Sequence, residues 1–324
     1  MWDADLEVVD RWGTCPGPVL VPLDGSPLAE RALPWAASLA ARRRAPLLLE
    51  RVVRPWIAPV APGSAEMEAE HAVVEADRVA ATQYLEAQAG ALRDAVPGLN
   101  VRMAVRLGEP ASALVELELE QDAQAVVMTT HGRSGLERWL RGSVAEAVLR
   151  RGTAPVLLIR PGDEPARAPS IGRNGVRVLV ALDGSPLAEA AVPEACRVAA
   201  PANGVVLLAT VLDPAPPPGS TSSAGSPAGA STAGFSERTA AWLHLDTVAC
   251  RLRRRGVRDR MIVLTARDPA AALVELATVE EVDVVVMGTH GRGGLGRWRY
   301  GSVADAVART APTPVLLVRP RAVG

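Results

Sequence analysis

A glycine-rich segment in the second half of the chain carries residue types that could bind phosphate. The stretch GTHG (288–291) is followed, after nine residues, by Gly301 and Ser302. Glycines let the backbone approach a ligand closely, and Ser302 is a good N-cap before a turn whose free N–H groups favour an anion. Arg292 adds a charged donor. The pattern predicts a phosphate site built from backbone N–H groups; the simpler alternative is that these glycines only form turns.

The composition excludes two kinds of lysine chemistry and one class of partner. The sequence contains no lysine, so its 35 basic residues are all arginine. A Walker P-loop needs a lysine at the phosphates, and Schiff-base catalysis needs a lysine amine. The 35 basic residues are balanced by 36 acidic ones, so the basic surplus typical of nucleic-acid binding is missing. We therefore expect no nucleic-acid partner.

The phosphate motif belongs to an internal repeat. VLVPLDGSPLAE (19–30) recurs as VLVALDGSPLAE (178–189), and the later motifs recur at the same offset of 159, as 183 − 24 and 301 − 142 both show. A constant offset over a whole domain indicates duplication. We expect domain 1 at 15–160, a polar linker at 161–175 and domain 2 at 176–320.

Each copy alternates short apolar strands with helices, which predicts an α/β fold with a parallel, doubly wound sheet and helices on both faces. In the first copy the predicted strands are 19–23, 47–53, 101–107, 125–129 and 155–160, and the predicted helices are 27–44, 66–96, 111–121 and 143–151. Inside the second copy, the Pro-, Gly- and Ser-rich stretch 214–234 predicts a mobile loop. That loop is either an unconstrained surface segment or a lid over the adjacent site.

Acidic and apolar residues are expected at the carboxyl ends of the strands, where such a sheet binds its ligand. Asp24 and Asp183 directly follow the first strand of each copy, and Val52 and Val211 lie near the end of the second strand. The aspartates could hold Mg²⁺, but a hydrogen bond to a ribose or a base explains them more simply. This edge of each sheet is therefore the predicted ligand site.

Together these motifs resemble the universal stress protein (UspA) family. The similarity rests on G-x₂-G-x₉-G-[ST] after an apolar strand and V-x-x-D-G-S near the start of the copy, and it extends over nearly all of both halves. It implies a five-stranded parallel sheet in each domain, pairing of the domains through their last strands, and ATP binding in one subclass but not in another. ATP, with Mg²⁺ bound through its phosphates, is the cofactor that the resemblance implies. The nucleotide-binding residues that it implies are Ala181, Asp183, Val211, Met287, Gly288, Gly291, Arg292, Gly301, Ser302 and Val303 in domain 2, and Pro22, Asp24, Val52, Met128, Thr129, Gly132, Arg133, Gly142, Ser143 and Val144 in domain 1.

Domain 1 departs from this pattern at Thr129, which stands where domain 2 has Gly288. A β-branched residue restricts the backbone and puts a side chain where a ribose or phosphate should approach. We expect an intact site in domain 2 and leave nucleotide binding by domain 1 open. His131 and His290 follow a threonine in both copies, but neither has the local pattern of a metal site or a nucleophile–base pair, so no catalytic residue is assigned.

Three functions stay open on the sequence alone. The first is an ATP-binding regulatory module of the stress response, the second a slow ATPase or self-phosphorylating protein, and the third a nucleotide-free scaffold. We favour the first, because no general base is evident beside the phosphate loop. The acidic N-terminus and the lack of a long apolar run predict a cytoplasmic protein without a membrane partner. Pairing of both edge strands predicts an intrachain pseudo-dimer, and a homodimer of whole chains is left open.

Overall fold

The computed structural model describes residues 17–54, 65–130, 143–161, 175–214, 228–289 and 301–319. The chain divides into two compact units, Met1–Ile171 and Gly172–Gly324. Both units have parallel sheets joined by helices, so the predicted α/β fold class is confirmed. The finer domain and linker boundaries stay predictions.

The strands of unit 1 lie where its apolar periodicity predicts them, within one residue at each end. Its strands are β1 (Val19–Pro22), β2 (Leu47–Val53), β3 (Val101–Leu107), β4 (Ala125–Thr129) and β5 (Val156–Ile159). Its helices are α1 (Pro27–Glu30), α2 (Leu33–Arg43), α3 (Ala65–Ala95), α4 (Pro110–Glu120) and α5 (Ser143–Arg151). The strands pair in parallel in the order β3-β2-β1-β4-β5. This order places the topological switch point between β1 and β4.

The two faces of this sheet carry different helices. Because β–α–β crossovers are right-handed, α2 and α3 cover one face, and α4 and α5 cover the other after the chain reverses direction past β1. The side chains agree with this, since Arg51 on β2 contacts Tyr84 of α3, whereas its neighbour Glu50 interacts electrostatically with Glu120 of α4. The largest fully buried side chains of the unit are Leu20, Leu47, Leu49, Leu85, Leu114, Leu158 and Ile159, each worth about 2 kcal/mol of burial.

Unit 2 repeats this plan. Its strands are β6 (Arg177–Ala181), β7 (Val205–Leu212), β8 (Arg258–Thr265), β9 (Val284–Gly288) and β10 (Val315–Val318). Its helices are α6 (Pro186–Glu189), α7 (Ala191–Ala199), α8 (Ala228–Arg253), α9 (Pro269–Val279) and α10 (Ser302–Thr310), with a 3₁₀ turn at Ala200–Ala202. The strand order is β8-β7-β6-β9-β10, again with parallel pairs.

The single helix predicted over 27–44 is wrong, because two helices stand there. Helix α1 ends at Glu30 and α2 begins at Leu33. Pro34 has no N–H to donate to the carbonyl of Glu30 and its ring would clash with that carbonyl, so one helix cannot continue through it. Unit 2 is interrupted at the matching place, between α6 and α7, where Pro193 stands four residues after Glu189.

The mobile loop predicted over 214–234 is wrong in its last part. Helix α8 begins at Ala228, so residues 228–234 are helical, while 215–227 lie outside the described residues. Pro227 is the last proline of the stretch, so nothing after it blocks a helix, and α8 then packs against β7 and β8. Most of the predicted linker, 162–174, also lies outside the described residues. No helix in the described ranges combines the length and the apolar character needed to cross a bilayer.

Candidate functional site

The loop that follows β1 is shaped by its own side chains. The backbone N–H of Ser26 donates to Oδ1 of Asp24 at 2.9 Å, and the Ser26 hydroxyl accepts from the N–H of Ala29 at 3.1 Å, which caps α1. Gly25 between them has φ +84°, a conformation that glycine adopts without strain. Asp24 itself is exposed. Its carboxylate therefore stands at the carboxyl edge of the sheet, as the sequence predicts.

A cluster from β2, α1 and α3 supports this loop in unit 1. The guanidinium of Arg51 lies against Gly25, so that a Cβ at Gly25 would come within 2.9 Å of Nη1. Its Cζ lies 4.8 Å from the ring centroid of Tyr84, a cation–π geometry. The Tyr84 hydroxyl donates to Glu30 at 2.9 Å, as does the Gln88 amide at 3.2 Å. Burial, and then the bond to Glu30, hold the pKa of Tyr84 above its ordinary value.

The matching loop of unit 2 has the same backbone but different support. Oδ1 of Asp183 accepts from the N–H of Ser185 at 2.9 Å and from its hydroxyl at 2.6 Å. Glu189 pairs with Arg251 at 2.8 Å and lies 3.8 Å from His244, both on α8. Position 210, which matches Arg51 by the offset of 159 (51 + 159), holds a threonine. Glu189 is thus paired with an arginine of α8, whereas the matching Glu30 of unit 1 accepts hydrogen bonds from Tyr84 and Gln88 of α3.

The strand-end residues assigned to the base share one face of each sheet. Pro22 is in register with Glu50, and Val52 lies two residues further along β2, so alternation puts it on the same face. Extending the β1–β4 register, in which Leu20 pairs with Val126, pairs Pro22 with Met128. This is the face of α4 and α5. In unit 2, Ala181, Val211 and Met287 occupy the corresponding positions by the registers of β6 with β7 and β9.

Thr129 does not distort the strand that it ends. It is in register with Ile159 of β5 and is 7% exposed, and Gly288 takes the same place opposite Val318. Strand alternation points the Thr129 side chain to the face opposite that of Met128. The sequence suggested that Thr129 would restrict the backbone and obstruct a nucleotide in domain 1, and the regular strand geometry removes the first of these two objections. Nucleotide binding by domain 1 stays a prediction.

The start of α10 corrects one prediction about Ser302. The N-cap is Gly301, with φ −52° and ψ 137°, and Ser302 is the first helical residue. Gly301 is held by its N–H donating to the carbonyl of Thr289 at 2.8 Å, and no side chain of the described residues caps the helix. Ser302 is exposed and Val303 half-buried. The first N–H groups of a helix have no acceptor within it, so the first turn of α10 presents N–H donors that the helix itself does not use.

Several predicted residues lie outside the described part of the chain: Gly132, Arg133, Gly142, Gly291 and Arg292, together with His131 and His290. Helix α5 begins at Ser143 as predicted, and Val144 in its first turn is half-buried. Within the described ranges, no group of three or more His, Cys, Asp or Glu side chains could hold a metal ion.

Sequence reasoning missed two residues of β2, Glu50 and Arg51. Glu50 is 0% exposed, and neither of its carboxyl oxygens has a hydrogen-bond partner among the described residues. Burial raises its pKa from 4.5 to about 7, against a lowering effect of Arg106 and a smaller raising effect of Glu120. The sequence contained a signal for both residues. In LLLERVV (47–53) the charged pair Glu50-Arg51 interrupts an apolar strand, where the second copy has Ala209 and Thr210.

Two doubly wound units, each with an aspartate in the loop after its first strand, define a tandem α/β protein. In sheets of this class the carboxyl edge at the switch point is where ligands generally bind. The profile of the Universal stress protein family matches residues 17–160 and 176–319. A universal stress protein of Mycolicibacterium smegmatis is 31% identical over 315 residues, covering 94% of this chain and 97% of that protein. One of Mycobacterium tuberculosis is 33% identical over 320 residues, covering 93% and 96%.

The solved structure of a universal stress protein from Archaeoglobus fulgidus shares the fold. Its TM-score is 0.65 at 19% identity, and the similarity covers 94% of this chain and 96% of that one. Together with the two profile matches, this leaves one assignment. The chain belongs to the universal stress protein family and carries two of its domains in tandem.

Proposed function

We propose that this chain is an ATP-binding regulatory module of the stress response, with one nucleotide site in domain 2 and a second, modified site in domain 1. The observation that carries the proposal is the first turn of α10. Its N-cap residue, Gly301, has no side chain that could accept a hydrogen bond from the N–H groups of that turn. Free N–H groups at a helix start, reinforced by the helix dipole, are a general anion site. ATP phosphates, with Mg²⁺ bound through them, suit that site.

The base and ribose have a separate set of contacts in this proposal. Asp183 and Asp24 offer carboxylate oxygens to ribose or base. Around them, Ala181, Val211 and Met287 in domain 2, and Pro22, Val52 and Met128 in domain 1, supply apolar surface at the strand ends. Asp305 in the first turn of α10 is paired with Arg309 at 2.6 Å, which reduces its repulsion of a phosphate.

A slow ATPase and a nucleotide-free scaffold are the competing functions. Hydrolysis needs a group that orients water at the γ-phosphate, and the sequence offers no evident general base there. A scaffold would work through the last strands, β5 and β10. Pairing of the domains through those strands and a cytoplasmic location stay predictions from the sequence.

The test is calorimetric titration of Mg·ATP into protein stripped of nucleotide. Asp183→Ala should weaken one site by about tenfold to a hundredfold, the range for a lost hydrogen bond to a charged group, while Asp24→Ala should affect only the other. Asp246→Ala, an exposed aspartate on α8, is the matched control and should leave both sites unchanged. Absence of binding by the wild-type chain would refute the nucleotide proposal and favour the scaffold. Accumulation of ADP during the titration would favour the ATPase.

A further inference from the structure

Arg51 is a charged side chain of domain 1 whose hydrogen-bond donors stay unused among the described residues. It is half-buried near the carboxyl end of β2. Its guanidinium contacts the Tyr84 ring and Gly25, and no described residue accepts a hydrogen bond from it or forms an ion pair with it. An arginine side chain carries five N–H donors, so this group can bind an anion without breaking an existing hydrogen bond.

The contacts of Arg51 hold the guanidinium by its face and leave its edge available. A Cβ placed on Gly25 would lie 2.9 Å from Nη1, 3.1 Å from Nη2 and 3.2 Å from Cζ. Because these three distances are nearly equal, Gly25 lies over the plane of the guanidinium and not at its edge. The Tyr84 ring, 4.8 Å from Cζ, fixes the group further. The N–H donors lie in the guanidinium plane, where a phosphate or carboxylate can accept two of them at once.

This guanidinium lies beside the carboxylate assigned to the ribose. Gly25 directly follows Asp24, and consecutive Cα atoms are about 3.8 Å apart. Burial and Glu30 raise the pKa of Tyr84 most, Arg51 lowers it and Asp24 raises it, so both charges act on the same ring. A ribose whose hydroxyl is bound by Asp24 would therefore carry its neighbouring hydroxyl close to the edge of the Arg51 guanidinium.

The acidic groups of this loop have partners other than Arg51. Oδ1 of Asp24 accepts from the N–H of Ser26 at 2.9 Å, and Oε1 of Glu30 accepts from Tyr84 and Gln88. A second arginine adds positive charge at the same edge, because Arg54 follows the end of β2, is exposed and acts electrostatically on Glu109, the N-cap of α4. The carboxyl end of β2 thus carries two arginines that are not ion-paired within the described residues.

Domain 2 has neither arginine. Thr210 stands at the position of Arg51 (51 + 159) and Asp213 at the position of Arg54 (54 + 159). The Thr210 hydroxyl is buried, and Asp213 carries the opposite charge to Arg54. The two ligand edges therefore differ in charge at the end of the second strand, and only the edge of domain 1 favours an additional anionic group there.

We propose that Arg51, assisted by Arg54, binds a phosphate group on a ribose hydroxyl of the nucleotide in domain 1. This site then selects adenine nucleotides that carry a 2′- or 3′-phosphate in addition to their 5′-phosphate, whereas domain 2 does not. An arginine near the ribose is the general device by which dinucleotide-binding sheets of the doubly wound class accommodate a 2′-phosphate. The inference rests on the proposed nucleotide function and adds to it the ligand class of one site.

The test uses the full chain and four nucleotides: AMP, ADP, adenosine 2′,5′-bisphosphate and adenosine 3′,5′-bisphosphate. The last three each add one phosphate to AMP, at different places. Calorimetric titration of the Asp183→Ala chain reports domain 1, and titration of the Asp24→Ala chain reports domain 2. In the first of these chains, Arg51→Gln removes the charge and Arg51→Lys retains it. Arg102→Gln, on an exposed position at the amino end of β3, is the matched control, and circular dichroism checks that each variant is folded.

Domain 1 should bind one of the two bisphosphates about tenfold more tightly than AMP, the effect of one charge-assisted hydrogen-bonded contact, and domain 2 should show no such gain. Arg51→Gln should lose the gain while the ADP-to-AMP ratio stays unchanged, Arg51→Lys should retain part of it, and Arg102→Gln should retain all of it.

A role of Arg51 in loop support alone would weaken AMP and bisphosphate binding by the same factor, so an unchanged ratio in Arg51→Gln would overturn the proposal. Bisphosphates that bind domain 1 no more tightly than AMP would overturn it as well, as would nucleotide binding confined to domain 2, and both results leave the nucleotide function standing. Absence of binding at both domains, for ATP as well as for these four nucleotides, would remove the proposed function itself.

Discussion

Protonation of Glu50 should make the stability of domain 1 depend on pH even without a ligand. The pKa of Glu50 is raised from 4.5 to about 7 in the folded chain, chiefly by burial. A raised pKa means that the folded state prefers the neutral acid, so the stabilising effect is complete below about pH 4.5 and is lost as the pH rises through 7. At about 1.4 kcal/mol per pH unit, the linked change between pH 4.5 and pH 8 is about 3 kcal/mol.

Glu50→Gln isolates this effect, because an amide of the same shape does not titrate. Urea unfolding of both proteins from pH 4.5 to pH 8, followed by circular dichroism, gives the difference in the free energy of unfolding of domain 1. That difference should grow by about 3 kcal/mol in favour of Glu50→Gln as the pH rises, while all other titrating groups cancel between the two proteins. A difference that stays constant with pH would refute the reasoning that Glu50 is buried without compensation.

Two further substitutions, each compared with a control substitution, test the close packing at Gly152 and the support of the β1 loop by Arg51. Gly152→Ala should destabilise domain 1 by about 2–3 kcal/mol, because its Cβ would collide with the Glu118 carboxylate and lie 2.6 Å from a backbone carbonyl. Gly90→Ala, in a helix with nothing within 4 Å of the new Cβ, should stabilise by up to about 1 kcal/mol, and thermal unfolding of both variants decides whether the Gly152 effect is steric. Arg51→Ala should lower domain 1 stability by about 1–2 kcal/mol through loss of its cation–π contact and packing and should weaken only the domain 1 nucleotide site. Arg102→Ala, on an exposed position of β3, should change neither, and equal effects of the two arginine substitutions would contradict the loop-support role of Arg51.

Much of the fold could be predicted because local patterns and tertiary structure agree. The strands at 47–53 and 101–107 have the predicted bounds, since apolar residues in short runs bounded by turn residues favour a strand before any packing is considered. The interrupted first helix was missed although its cause, Pro34, is local. The α8 start at Ala228 was missed because the Pro, Gly and Ser content of 214–234 favours a loop, whereas packing of α8 against β7 and β8 favours a helix.

The candidate site, like the fold, has some parts that the sequence predicts and others that depend on tertiary packing. The sequence by itself determined the duplication, the aspartate after each first strand and the glycine at the start of α10, because each of these is a residue type at a constant spacing. Tertiary structure alone placed Arg51 between Gly25 and Tyr84 and enclosed Glu50 beneath α4. The reason is that burial and long-range contact depend on which strands and helices meet. A strand's own sequence specifies that residues alternate between two faces, but it does not specify what covers each face.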